Sequence, residues 1–273
     1  MGEHFLTQFK LPESVTDPCL RFLKYQEEVL EILLLLIGSE KQSKAVQDLL
    51  AGTHIQASSN RDHLLARERI LKDSQIVERQ ARRLAMPILE MIFSRAVENF
   101  LTFASELMAA IYTTRPTTLR TSETITVEEV LSYGTMDDLI QLLTERKVER
   151  LSYKGMQDLR NYLNEKLNFD LFPDPDCLSR AVRIVETRNL ITHNRGVVNR
   201  TFLRKTGNTS LKVGMPVPFD PVEVLVDVEF LGVSATEIDE RAASKFTLRR
   251  EPNTVAQSVL IHTCEKADPE KAH

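Results

Sequence analysis

A chain of 273 residues with 42% hydrophobic positions can bury a sizeable core, and few glycines and prolines among many Leu, Glu, Arg and Ala residues favour helices over strands. The formal net charge of -4 confines any polyanion-binding surface to a local stripe, and 6% aromatics with no Trp leave few stacking platforms for single-stranded bases. Three scattered cysteines, Cys19, Cys177 and Cys264, have no histidine at ligand spacing, which argues against a zinc site or a disulfide framework and fits a soluble protein of a reducing, cytoplasmic setting.

The first ten residues lack a basic stretch followed by an apolar one, so they do not read as a secretory signal. Asp17-Pro18 is a helix start. Apolar residues then recur at Phe22, Leu23, Tyr25, Val29, Leu30, Leu33, Leu34 and Ile37 as far as Gly38. The apolar run at 33–37 is too short to span a bilayer, so no membrane partner is expected. A shorter helix is predicted at 44–50, closed by Gly52 and followed by a polar loop through Ser58, Ser59 and Asn60. Over 61–85, Ile70, Val77 and Leu84 fall seven apart in a run dense in Arg and Glu. Such a narrow stripe packs on the neighbouring domain, with a dimerising seam as the alternative.

Pro87 marks a boundary, a kink or a first helical turn. Residues 88–111 carry a broad apolar face from Leu89 to Ile111, the pattern of a central core helix, interrupted by Arg95, Glu98, Asn99 and Glu106. A loop containing Pro116 is predicted at 113–124. Thr126 and Glu129 have capping-box spacing, and Thr135 and Asp138 nearly repeat it, so helices should begin at both; another carries Met156, Leu159, Leu163 and Leu167. A further helix opens at Asp174-Pro175 or Asp176, has Leu178, Ala181, Val182, Val185 and Leu190 on its apolar face, and ends near Gly196. A flexible polar stretch is expected at 205–210. Val222, Val224, Val226, Val228 and Phe230 alternate as a strand would, but Asp220-Pro221 with Glu223 starts a helix that Leu225, Leu231, Ala235, Ile238, Ala242 and Phe246 continue. The helix is the preferred reading. The expected organisation is all-α, with an amino-terminal helical region at 1–85, a helical domain at 86–249 and a polar, flexible tail at 250–273.

The helix ending near Gly196 carries Arg188, Asn189 and His193 within six positions. A fixed cation beside an imidazole is what chemistry on a phosphate needs. Around them, residues 178–205 hold seven basic side chains (Arg180, Arg183, Arg188, Arg195, Arg200, Arg204 and Lys205) against the single acid Glu186, so the rest of the chain carries -10. Arg183, Asn194, Arg195 and Arg200 are the expected RNA contacts of this stripe. The alternative is a solvated, arginine-rich helix face.

On a regular helix Asn189 and His193 share a face, whereas Arg188 and His193 diverge by roughly 140°. The pair meets if the helix loosens after Thr192, or if two copies of the helix face each other across a two-fold axis. In such a pocket Arg188 would hold a phosphate bidentately, His193 would act as general base or general acid, and Asn189 would orient the histidine or the phosphate. The scheme calls for no metal and no cofactor.

The run Arg188-Asn-Leu-Ile-Thr-His193, followed by Asn194-Arg195-Gly196, resembles the signature of the HEPN superfamily, helical domains of prokaryotic defence and toxin systems, and its continuation resembles the RiboL-PSP-HEPN branch. The resemblance implies a HEPN-like helical bundle with Arg188 and His193 as the catalytic pair and Asn189 as the polar residue beside the arginine. It implies a metal-independent endoribonuclease that acts as a homodimer through the ribose 2′-hydroxyl, a toxin or defence effector with a cognate antitoxin or defence partner. The alternative it also allows is a non-catalytic module that binds RNA, a nucleotide or a protein.

Overall fold

A computed structural model describes residues 11–52, 61–119, 125–152 and 155–255. Among the described residues the chain is all-α apart from one two-stranded ribbon. Two long helices, α1 (Asp17–Gly52) and α2 (Arg61–Thr114), pack against each other, and α8 (Pro221–Phe246) packs on both. Between α2 and α8 the chain forms a 3-10 turn (Pro116–Leu119), α3 (Val127–Leu131), α4 (Met136–Ser152), α5 (Met156–Leu167), α6 (Pro175–Asn194) and α7 (Arg200–Thr206).

Where local hydrogen bonds start these helices, they are the ones the side chains dictate. Asp174 accepts from the Asp176 N–H at 2.9 Å with Pro175 in the first turn of α6, and Asp220 accepts from Val222 and Glu223 at the head of α8. The alternating valines of α8 are therefore helical, because the Asp220-Pro221 start outweighs their strand propensity. At α4 the Thr135 hydroxyl accepts from the Asp138 N–H at 3.2 Å while Asp138 accepts from the Thr135 N–H at 3.1 Å, a reciprocal box.

The core lies where the first half of α1 and the second half of α2 meet α5, α6 and α8. Phe22 lies edge-on to Phe100 with centroids 6.2 Å apart, and Phe100 faces Phe172 at 6.4 Å. Leu33, Phe93, Ala181, Ile184, Val228 and Leu231 are fully buried around them. Each large side chain buried in this way is worth about 1.5–3 kcal/mol.

Several local expectations give way to packing. The helix that was to stop at Gly38 runs on to Gly52, and the predicted piece at 44–50 is part of it. One mid-helix glycine costs about 1 kcal/mol, too little to end a helix docked on a neighbour. Pro87 lies inside α2, so the two predicted segments around it are one helix. The proline removes one backbone bond, and α2 packs against α1, α4, α6 and α8. Of the stripe Ile70, Val77 and Leu84, the Leu84 side chain is the one described, and it is exposed. The polar loop at 58–60 lies outside the described residues. In the tail, Glu251–Pro252 pairs antiparallel with Ser14–Val15, and the Asn253 N–H donates to the Glu13 carbonyl at 2.9 Å, so the chain is tied down as far as Val255; 256–273 lie outside the described residues.

Candidate functional site

Helix α6 ends in a left-handed turn that fixes where the motif points. Arg195 takes φ 54° and Gly196 φ 71°, and the Gly196 N–H returns to the Leu190 carbonyl at 2.9 Å. The Asn194 side chain spends its amide on the Val197 carbonyl, which closes the turn from the other side. The helix does not loosen after Thr192. From this turn the chain enters α7, whose start is capped by Asn199 accepting from the Phe202 N–H at 2.9 Å. Helix α7 was not foreseen, although Asn199 before it and Gly207 after it are start and stop signals. The stretch after it, expected to be flexible, is anchored at its far end: Val198 and Met215, Gly214 and Val198, and Val217 and Gly196 are joined by backbone bonds of 2.8 to 2.9 Å.

Folded in this way, α7 stands beside the last turns of α6 and walls a cleft of about 440 Å³. Arg188, Asn189 and His193 all line it, together with Glu186 from α6, Asn199, Thr201 and Lys205 from around α7, Gly155 ahead of α5, and Leu101 from α2. Arg188 and His193 thus share one cleft within a single chain, despite their divergence around the helix.

The two differ in setting. His193 is exposed at the rim, whereas the Arg188 side chain is 18% exposed and held on both sides. Its Nη2 donates to Glu98 Oε1 of α2 at 2.6 Å and its Nη1 to Asn189 Oδ1 at 3.2 Å. Asn189 therefore orients the arginine. Burial by itself would raise the Glu98 carboxyl, but hydrogen bonds and charge from Arg188, and then Arg95, outweigh it and hold the group below its ordinary value. On the other wall Lys205 Nζ meets the buried Glu186 Oε1 at 2.7 Å.

These pairings change the reading of the basic stripe. Arg183, expected to contact RNA, donates to both oxygens of Asp227 at 2.7 and 2.9 Å, and Arg180 reaches the same carboxylate at 3.0 Å. Asp227 is buried on α8, so these two arginines tie α6 to α8. Four of the seven cations are thus matched to Asp227, Glu98 and Glu186, while Arg195, Arg200 and Arg204 are exposed with no ion-pair partner among the described residues. Glu98 carried a signal in the sequence, as a charge interrupting an apolar helix face. Asp227 carried none. Among the described residues no group of three His, Cys, Asp or Glu side chains is placed to hold a metal ion, and no described helix is long and apolar enough to cross a membrane.

No family model, no curated protein and no solved structure matches this chain.

Proposed function

We propose that the chain is a metal-independent endoribonuclease of the HEPN type, a toxin or defence effector of the cytoplasm that acts as a homodimer on RNA. The observation that carries the reading is the single cleft lined by Arg188, Asn189 and His193. An arginine fixed by two neighbours is pre-organised to stabilise charge on a phosphate, and an exposed imidazole at the rim is free to exchange protons with a polymer that cannot enter fully.

In this scheme His193 takes the proton of a ribose 2′-hydroxyl, whose oxygen attacks the adjacent phosphorus. The bond from phosphorus to the 5′-oxygen breaks, and that oxygen leaves with a proton. The products are a 2′,3′-cyclic phosphate and a 5′-hydroxyl. One imidazole cannot be base and acid at the same instant, so the His193 of a second copy supplies the leaving proton in a dimer. Arg188 stabilises the charge on the non-bridging oxygens. Arg195 and Arg200, exposed beside the cleft, hold the flanking backbone.

The test is cleavage of RNA in EDTA, with analysis of the ends. Cyclic phosphate ends are expected from the parent, and Arg188→Ala and His193→Ala should each lose at least about a hundredfold in rate. A purified dimer that cuts none of a broad RNA panel, or a His193→Ala variant that cuts as well as the parent, overturns the proposal. A second reading, a module that binds RNA, a nucleotide or a protein without turnover, is favoured by the engagement of Arg188 with Glu98. It predicts salt-sensitive binding that His193→Ala leaves intact and Arg195→Ala weakens.

A further inference from the structure

The guanidinium of Arg188 is only half used on the edge best suited to an oxyanion. That edge carries the Nε hydrogen and one Nη2 hydrogen side by side, a fork that takes two oxygens of one phosphate. Glu98 reaches only Nη2, while Nε is buried and has no hydrogen-bond partner among the described residues. Asn189 sits on Nη1, away from this edge. A buried donor without a partner is costly, and a ligand that supplies a second oxygen removes the cost.

Glu98 has somewhere else to go. Its second oxygen, Oε2, already accepts from Arg95 Nη1 at 3.1 Å, and Arg95 is exposed and steadied by the Tyr25 hydroxyl at 3.0 Å. A shift of the carboxylate onto Arg95 keeps it paired while it vacates Arg188.

We propose that the Nε and Nη2 edge of Arg188 is a phosphate seat which Glu98 holds in part until a ligand arrives, so that Glu98 is the positioning residue that sets anion affinity. The inference rests on the reading of the cleft as a phosphate site but not on turnover. Two oxygens of one phosphate fill the fork, and Glu98 retires to Arg95. Lys205, on the other wall of the cleft, adds a second positive charge once the ligand draws it from Glu186. A halide can also sit between the two hydrogens, but as one centre it cannot give each its own acceptor, so it gains less from the free Nε than a phosphate with two oxygens.

The experiment is calorimetric titration of the full chain with inorganic phosphate, and with chloride as the monatomic control. Glu98→Gln removes the competing charge with little change of shape. Because the ion pair is only partly exposed, phosphate affinity should rise about five- to tenfold, with a smaller gain for chloride. Loss of the carboxylate's charge by itself favours phosphate and chloride alike, so a phosphate gain that exceeds the chloride gain marks the freed fork, and equal gains for the two anions overturn the proposal. Arg188→Lys keeps the charge but lacks the fork, and should lose at least about tenfold. Phosphate bound by Glu98→Gln no more tightly than by the parent, or bound by Arg188→Lys as well as by the parent, overturns the proposal. If Glu98→Gln does not fold, Arg95→Ala decides: with no cation to retire to, Glu98 stays on Arg188 and affinity falls, whereas unchanged affinity is fatal to the idea. A chain that follows this binding pattern and never cuts RNA sinks the ribonuclease reading alone. One that cuts RNA through His193 while phosphate affinity ignores Glu98 sinks this inference alone.

Discussion

Replacing Asp227 with alanine should lower stability by about 2 to 3 kcal/mol, although the residue takes no part in the cleft chemistry. Its side chain is 6% exposed and accepts from Arg180 Nε at 3.1 Å, Arg180 Nη2 at 3.0 Å and Arg183 Nη2 at 2.7 Å. Breaking a buried ion pair costs about 3 to 5 kcal/mol when the orphaned charge has no other recourse. Here the orphans are arginines 33% and 42% exposed, which regain water, and Arg180 keeps the Val226 carbonyl at 2.9 Å and the Phe230 ring at 4.5 Å. The cost therefore falls below that range. For a chain of this size each kcal/mol moves the midpoint by about 2–4 °C, so a thermal melt followed by circular dichroism should show Tm lowered by about 5–10 °C. A double-mutant cycle with Arg183→Ala should return a coupling of about 1 kcal/mol. A Tm drop of less than about 2 °C, or a coupling indistinguishable from zero, would refute the view that Asp227 ties α6 to α8.

Arg195→Gly separates fold from function. Arg195 holds φ 54°, where a side chain costs about 1 kcal/mol relative to glycine, so Tm should hold or rise while RNA affinity falls and the salt dependence of binding flattens; a lowered Tm, or unchanged RNA affinity, contradicts this. The Glu98 carboxyl is held below its ordinary 4.5, so the stability it contributes is present above that value and is lost as pH falls through the lower folded-state value. Melts from pH 7 to pH 3 should accordingly show the parent more stable than Glu98→Gln near neutrality and the difference closing in acid; a difference that grows in acid reverses the sign and the argument. His193→Ala, altering an exposed residue at the cleft rim, should leave Tm within about 2 °C of the parent; a larger loss would mean that the imidazole is structural.

Helix starts are legible in this sequence because the groups that make them are neighbours in the chain. Asp174 caps α6 from two residues away, Thr135 and Asp138 close a box across three, and Asp220-Pro221 settles a run of valines that propensity leaves ambiguous. Helix ends are legible only where something stops them. Gly38 and Pro87 look like stops, but each gives up only one hydrogen bond or some entropy, and both lie inside long helices that pack against each other. Helix α7 is short and carries few apolar residues, so periodicity is silent about it and its capping pair is the only signal.

By itself the sequence determined the all-helical class and the clustering of Arg188, Asn189 and His193 at the end of one helix, since both follow from spacing along the chain. It also determined how many cations lie near them, but not what those cations face. Only the tertiary structure decided that Arg180 and Arg183 are joined to Asp227, that Lys205 is matched to Glu186, and that Arg188 is held by Glu98 ninety positions earlier. An ion pair depends on distance in space, which falls off within a few ångströms and bears no relation to separation along the chain. The same holds for the cleft: helical geometry turns Arg188 away from His193, and with α7 packed against α6 both side chains line one cleft.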